Sequence, residues 1–294
     1  ASYIITLVVT LVLLSGKVHF NGIKWNKAFS LMILRKSYPF AALILLMTFY
    51  NRVDSVMLER LLDNGAKQAG IYAQAYRLME AGNMVAYLFA GLLLPIFSHM
   101  IKSKSNIEPL LKTSTSLMMV PALGAAIVYL FNNVEIMDAL YKYNARESAQ
   151  VGVFLMVSFV GMCVSYNFGA LLTANGNLSA LNKLAASAMA LNIILNLLLI
   201  PVMEANGAAI ASMITQLLMA FGQILLAIRL FNISINRYFL GRLVVFASLT
   251  MISSIWVSQI ELKFDFPLSH TLLSAFLAIF WALLTKAINI GDLL

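Results

Sequence analysis

Charged side chains are scarce in this 294-residue sequence, in which Lys, Arg, Asp and Glu together make up 11%. Soluble domains carry about 25% of these residues, so the composition excludes an ordinary soluble core. Hydrophobic residues reach 61% and the mean hydropathy is +0.87. The net charge of +8 comes from basic residues in short segments between apolar runs. Such basic loops are typical of a membrane protein rather than a nucleic-acid-binding one.

Residues that hold metals or perform catalysis are also rare. A single cysteine, Cys163, excludes a disulfide framework and a thiol metal site. The three histidines, His19, His99 and His270, lie far apart and lack metal-ligand spacing. No Gly-rich phosphate loop is present, and no loop between apolar runs is long enough for a catalytic domain. We therefore expect no metal site, no cofactor and no enzyme activity.

Long apolar runs are abundant and predict an all-α polytopic membrane bundle. Segments of roughly 21–26 residues are long enough to cross a hydrocarbon core of about 30 Å as helices. Helices are expected because backbone groups in hydrocarbon must bond within their own segment. A shorter run at 3–14 precedes them, and we expect it to be the end of a truncated helix. The eight full-length runs are 38–58, 72–97, 110–131, 150–173, 180–200, 207–230, 238–259 and 268–290.

Basic residues are concentrated in alternate loops, and this asymmetry predicts the orientation. These loops hold 13 of the 20 Lys and Arg residues, while the opposite loops hold most of the acids. Basic loops remain on the cytoplasmic side of the membrane. The pattern therefore predicts a multi-pass protein whose C-terminus is cytoplasmic.

Four charged residues within the first two full spans are the strongest functional signal. They are Arg52 and Asp54, then Arg77 and Glu80 after the turn at Asn64. Each unpaired charge at mid-bilayer costs about 2.5–3.5 kcal/mol on the insertion scale. The two spans form a helical hairpin, so we expect either Asp54 to meet Arg77 or Arg52 to meet Glu80.

Two interpretations of these charges remain open. In one, they form a structural ion-pair network that locks two helices together. In the other, they line a wet cavity, where Arg52 and Arg77 bind an anionic group while Asp54 and Glu80 hold a coupling ion or act as a gate. The polar residues Asn51 and Tyr76 extend that lining in the second interpretation.

Asn192 and Asn196 lie four apart on one helix face, which favours interhelical hydrogen bonding. The small residues at Gly207, Ala208, Ala211 and Ser212 favour close helix packing.

Four stretches resemble a known family. They are YNRVDSVML at 50–58, AGIYAQAYRLME at 69–80, LNIILNLLLIP at 191–201 and NGAAIASMITQ at 206–216. In this order they are similar to O-antigen-type polysaccharide flippases of the multidrug/oligosaccharidyl-lipid/polysaccharide exporter superfamily.

The resemblance implies a fold of two six-helix lobes, 12–14 helices in all, of which this chain holds the second lobe and two further helices. The implied domains are a truncated helix with a basic cytoplasmic inter-lobe loop (1–37), a six-helix lobe (38–231) and two C-terminal helices (232–294), which in this fold are suited to guiding a lipid tail. The implied location is the bacterial or archaeal inner membrane.

The function implied is alternating-access export of a polyprenyl-pyrophosphate-linked oligosaccharide from the inner to the outer leaflet. The implied partners are this lipid-linked substrate, membrane lipids, a coupling H⁺ or Na⁺, and polysaccharide polymerase and chain-length proteins.

Alternatives within the superfamily are a cation-coupled multidrug exporter and a lipid II flippase. The balanced charges, which include two arginines, disfavour the drug exporter. A membrane-bound glycan polymerase or ligase would need a large external loop with catalytic residues, and none is visible. A scaffold or scramblase without a binding site is the remaining alternative, and it would tolerate neutralisation of Arg52 and Arg77.

Overall fold

The computed structural model describes residues 26–233, 237–260 and 268–287, together with Thr6, Val9, Thr10 and Leu13. The side chains of Tyr50, Asn51 and Arg237 lie outside the description. Within these ranges the chain forms seven α-helices and no strand, which confirms the predicted all-α class. They are α1 (Lys27–Leu61), α2 (Gly65–Lys102), α3 (Glu108–Leu140), α4 (Ala145–Ala174), α5 (Leu178–Phe231), α6 (Arg237–Gln259) and α7 (Ser269–Leu284).

Six of these helices contain stretches long and apolar enough to cross a membrane. They are α2 to α5 in full, Lys27–Phe49 of α1 and Tyr238–Gln259 of α6. Helix α7 is apolar but has only 16 residues. The predicted last span extends to residue 290, and its final residues lie outside the described ranges. The predicted helical membrane bundle is thus confirmed.

The chain divides into two compact units, Ala1–Ala41 and Ala42–Leu294. In the first unit, the side chain of Asn26 caps the start of α1, because its Oδ1 accepts the backbone N–H groups of Ala28 and Phe29 at 3.0 and 3.2 Å. Most of the run at 3–14 lies outside the described residues. The predicted domain boundaries at 37 and 231 stay predictions.

Helix α4 forms the centre of the second unit. Most of its side chains are buried, and it packs against α2, α3 and α5. Small residues permit this packing: a Cβ on Gly161 would lie 3.2 Å from the backbone of Gln216 on α5. Helices α6 and α7 pack against each other and against α3. Helix α4 therefore fixes the helices that build the site described below.

Helix α5 consists of two antiparallel arms joined at Glu204. At 54 residues a straight helix would be about 81 Å long, but Glu204 has φ 52° and ψ −130°, which breaks it. We call residues 178–203 arm α5a and residues 205–231 arm α5b. Asn192 on α5a contacts Thr215 on α5b, and Gly207 faces the backbone of Leu199. These pairings run in opposite directions from Glu204, so the arms form a hairpin that matches the two predicted spans at 180–200 and 207–230.

We predict that Gly207→Ala destabilises this hairpin. A Cβ at residue 207 would lie 2.5 Å from the backbone oxygen of Leu199. Moving backbone atoms to relieve this clash costs more energy than moving a flexible side chain. The expected cost is about 1–3 kcal/mol, as for other overpacked sites. Thermal unfolding of the purified full-length protein in detergent measures it.

The matched control is Gly91→Ala on α2, where a Cβ meets nothing within 4 Å. Because alanine is the better helix former by about 0.5–1 kcal/mol, the control should unfold at the same or a higher temperature. Equal unfolding temperatures for the two variants would contradict the close approach of the arms.

Candidate functional site

A buried carboxylate lies where α1, α2 and both arms of α5 converge. Asp54 on α1 is 1% exposed. Its Oδ2 accepts the hydroxyl of Tyr72 on α2 at 2.8 Å and also the hydroxyl of Ser212 on α5b. Its Oδ1 accepts the amide Nδ2 of Asn196 on α5a at 2.7 Å. Three neutral donors from three chain segments therefore surround one carboxyl group.

Further polar atoms of α5 extend this cluster. Asn196 Nδ2 also donates to Oδ1 of Asn192 at 3.0 Å, and Asn192 Nδ2 lies 3.5 Å from Oγ1 of Thr215. Since both acceptors of Asn196 Nδ2 are oxygens, they fix the orientation of its amide. The buried Oδ1 of Asn196 then has no hydrogen-bond partner among the described residues. An acceptor without a donor thus lies beside a buried carboxylate.

This cluster contains one acidic group and no basic group. Among the described residues, no Lys, Arg or His nitrogen lies within 4.0 Å of the Asp54 carboxylate. Hydrogen bonds from neutral groups offset part of the cost of burying an ionised carboxylate, whereas an opposite charge that could pair with it is missing among the described residues. The cluster, defined as Asp54, Tyr72, Asn192, Asn196, Ser212 and Thr215, is hereafter the Asp54 cluster.

The second predicted pair, Arg52 with Glu80, is formed in the structure. Arg52 Nη2 lies 3.4 Å from Glu80 Oε1, and the two side chains are 68% and 50% exposed. An exposed pair of this kind contributes about 0–1 kcal/mol to stability. Asp54 and Arg77 do not form the alternative pair. The Arg52–Glu80 contact therefore joins α1 to α2 without being a strong structural lock.

Arg77 and Tyr76 lie beside these groups on α2. Arg77 is exposed, and no carboxylate oxygen of the described residues is within 4.0 Å of its guanidinium. Tyr76 is half-buried and stacks on Tyr72, with ring centroids 5.8 Å apart. Asn51 lies in α1, but its side chain is outside the description. The site residues predicted from sequence thus separate into an exposed face with Arg52, Arg77 and Glu80, and a buried cluster around Asp54.

A largely apolar cavity of about 660 Å³ opens on another side of α2. Its walls come from α2, α3, α4, α6 and α7, and include Gly124, Phe159, Phe246 and Ala278. It is large enough for several methylene units of a hydrocarbon chain. The two C-terminal helices therefore help to enclose an apolar space rather than simply covering the lobe.

Sequence reasoning missed Tyr72 and Ser212 as partners of Asp54. The spacing of Asn192 and Asn196 predicts interhelical hydrogen bonding, and the structure shows that Asn196 bonds to Asp54 itself. The available signal was spacing: Asn192 and Asn196 share a face, and Ser212 lies eight residues after the turn at Glu204, as Asn196 lies eight before it. Within the described part of the chain, no three His, Cys, Asp or Glu residues lie together.

Comparisons with known proteins agree with this architecture. A family model described as "Polysaccharide biosynthesis protein" matches residues 1–101. A search of characterised proteins by sequence finds no match. Among solved structures, "Lipid II flippase MurJ, inward closed conformation" is similar with a TM-score of 0.73 at 12% identity, over 92% of this chain.

The matched region is 57% of the length of the MurJ chain, so this chain spans little more than half of it. The family-model match and the similar fold agree with the resemblance to the exporter superfamily seen in the sequence. The chain is a multi-pass membrane protein with a MurJ-like fold, and its first 101 residues are similar to the polysaccharide biosynthesis protein family.

Proposed function

We propose that this chain is part of a flippase that moves a polyprenyl-pyrophosphate-linked oligosaccharide from the inner to the outer leaflet by alternating access. The observation that carries the proposal is the exposed charged face of α1 and α2. Arg52, Arg77 and Glu80 are exposed within runs of the sequence that are predicted to cross the membrane. Facing lipid would cost about 2.5–3.5 kcal/mol for each of them. This face therefore lines a wet cavity that the remainder of a two-lobe protein would complete.

The arginines of this face suit an anionic head group. Arg77 has no acidic partner within 4.0 Å among the described residues, and Arg52 has an exposed one that a ligand can displace. Guanidinium groups bind phosphate oxygens in a bidentate manner. In this proposal Arg52 and Arg77 bind the pyrophosphate, Glu80 releases Arg52 when substrate binds, and Asn51 and Tyr76 extend the polar lining.

The Asp54 cluster suits a coupling cation, either H⁺ or Na⁺. It offers a carboxylate, the unpartnered amide oxygen of Asn196 and nearby hydroxyl oxygens, which are ligands for hard cations. A bound cation neutralises the buried charge, and its release leaves that charge uncompensated. Release of the cation therefore favours a different arrangement of the four helical segments around Asp54.

The apolar cavity suits the polyprenyl tail. A pyrophosphate and sugar cannot enter hydrocarbon, whereas the tail can remain in an apolar space beside the polar cavity. Helices α6 and α7 supply Phe246 and Ala278 to its wall. In this proposal the C-terminal helices guide the tail while α1 and α2 bind the head group.

A lipid II flippase is a second candidate, because the fold matches one. A lipid II flippase would also need arginines at its binding site, so the same residues would serve both. The multidrug exporter is less well supported, since two arginines on the exposed face repel cationic drugs. The proposed location is the cell membrane of a bacterium or archaeon, with a cytoplasmic C-terminus and with polymerase and chain-length proteins as partners.

We expect Arg52→Ala and Arg77→Ala to abolish most of the export. Loss of a charge-assisted contact of about 1.5–3 kcal/mol lowers export about 10- to 100-fold if pyrophosphate binding limits it. The measurement deletes the parent gene and rescues it with full-length variants at equal expression. Surface polysaccharide and inner-leaflet lipid-linked oligosaccharide are quantified together.

Lys67→Ala is the matched control, because Lys67 forms an exposed pair with Glu147 at 3.6 Å and has no proposed role. It should rescue like the wild-type protein. Normal surface glycan with accumulated lipid II and cell lysis in the deletion strain would favour the lipid II candidate. Normal rescue by both arginine variants would refute the cationic site and favour a scaffold or scramblase.

A bulky residue in the apolar cavity should impair export without altering stability. Ala275→Trp on α7 fills part of the space proposed for the tail, so export should fall severalfold. Leu272→Trp is the control, since Leu272 is on the same helix, is 55% exposed and does not line the cavity. Equal export by both tryptophan variants would contradict a tail-binding role for the cavity.

A further inference from the structure

Two turns at the same end of the bundle are joined by side chains. The first turn links α1 to α2, and the second is the break at Glu204 in α5. Gln68 Nε2 donates to Glu204 Oε2 at 2.6 Å, and Asn64 Nδ2 donates to Glu204 Oε1 at 3.0 Å. Gln68 Oε1 in turn accepts the backbone N–H of Ala205 at 3.3 Å. One glutamine side chain thus bonds to two consecutive residues of the break.

The conformation at Glu204 requires such support. Its φ of 52° with ψ of −130° is a region that favours glycine, and a non-glycine residue there costs about 1–3 kcal/mol. The break also removes the helical partner of the Ala205 N–H, which Gln68 replaces. Gln68 is 6% exposed, so losing its partners would leave buried polar atoms unsatisfied. We call Gln68, Asn64, Glu204 and the Ala205 N–H the turn clamp.

The residues of the turn clamp are close in sequence to those of the Asp54 cluster. Gln68 is one helical turn before Tyr72 on the same face of α2. Glu204 is eight residues, or about 12 Å, from both Asn196 on α5a and Ser212 on α5b. Every side chain that donates to Asp54 therefore belongs to a helical segment joined at the turn clamp. A change in the break would shift the two arms of α5 relative to α2.

We propose that Gln68 and Glu204 are positioning residues which hold the donors of the Asp54 cluster in register, and that opening the turn clamp weakens cation binding there. The inference rests on the proposed function, in which Asp54 binds the coupling cation. It assigns a role to two residues that touch neither the cation nor the lipid-linked substrate. The two arms and α2 then respond to the cation as one unit.

A charge swap across the turn clamp provides the decisive experiment. Gln68→Glu places two carboxylates against each other and should open the clamp. Glu204→Gln alone keeps an acceptor for Gln68 Nε2 and should act weakly. The double variant Gln68→Glu/Glu204→Gln exchanges donor and acceptor, so an amide at residue 204 donates to a carboxylate at residue 68, which still accepts the Ala205 N–H. The double variant should therefore restore the wild-type behaviour.

Two readouts on the purified full-length protein separate positioning from simple stability. The first is hydrogen exchange of residues 200–216, which reports the clamp itself. The second is the cation response, measured as the thermal shift on titrating Na⁺ against choline and on titrating pH. For Gln68→Glu we expect faster exchange and a midpoint of the cation response moved about tenfold, a typical coupling between sites. Both should return to wild-type values in the double variant.

The possible outcomes lead to distinct conclusions. Faster exchange with an unchanged cation midpoint means that the clamp is only structural and overturns the inference. Unchanged exchange in Gln68→Glu, or no restoration in the double variant, also overturns it. Asp54→Asn is the independent test of the cation site. If that variant keeps the wild-type cation response, the proposed cation site is wrong, and exchange alone then decides whether the clamp sets the register of the arms.

Discussion

The buried carboxylate of Asp54 is the constraint on which the arrangement of this unit depends. A carboxyl group buried in an apolar bundle needs hydrogen-bond donors around it. Asp54 therefore draws on Tyr72, Asn196 and Ser212 from three other helical segments. Those segments must approach closely, and small residues such as Gly207 and Ala208 in α5b permit the approach. Close packing of these segments and the hydrogen bonds to Asp54 thus occur in the same part of the bundle.

The broken helix α5 shows how such convergence is achieved without a long loop. Two spans that cross in opposite directions are joined through one residue of unusual backbone conformation, so their inner faces are held a few ångströms apart. A flexible connection would let the arms slide and would separate Asn196 from Ser212. The turn clamp places the support for this conformation on a neighbouring hairpin, so the local strain of α5 is balanced by contacts with α2.

Much of the fold follows from the sequence, because the cost of exposing backbone in hydrocarbon leaves helices as the outcome for long apolar runs. The predicted spans at 72–97, 110–131 and 150–173 lie within α2, α3 and α4. The environment of each charge was harder to predict. Arg52 and Asp54 are two residues apart, so they point to faces of α1 about 200° apart, and one is exposed while the other is buried. Helical periodicity predicts that the two side chains lie on opposite faces of α1. Which of these faces is buried, and which residues contact it, is determined by tertiary packing.

Arg52 and Asp54 lie on opposite faces of α1, so charges bound beside them interact across the helix. Their functional groups lie on the two sides of one helix, whose diameter is about 10 Å. At an effective dielectric constant of about 20, two unit charges at that separation interact with about 1.7 kcal/mol. In the proposed function, a positive ion beside Asp54 and a negative ligand beside Arg52 would therefore raise each other's affinity by about an order of magnitude. In the proposed function, the small thickness of α1 would thus let two ligands bind cooperatively without touching each other.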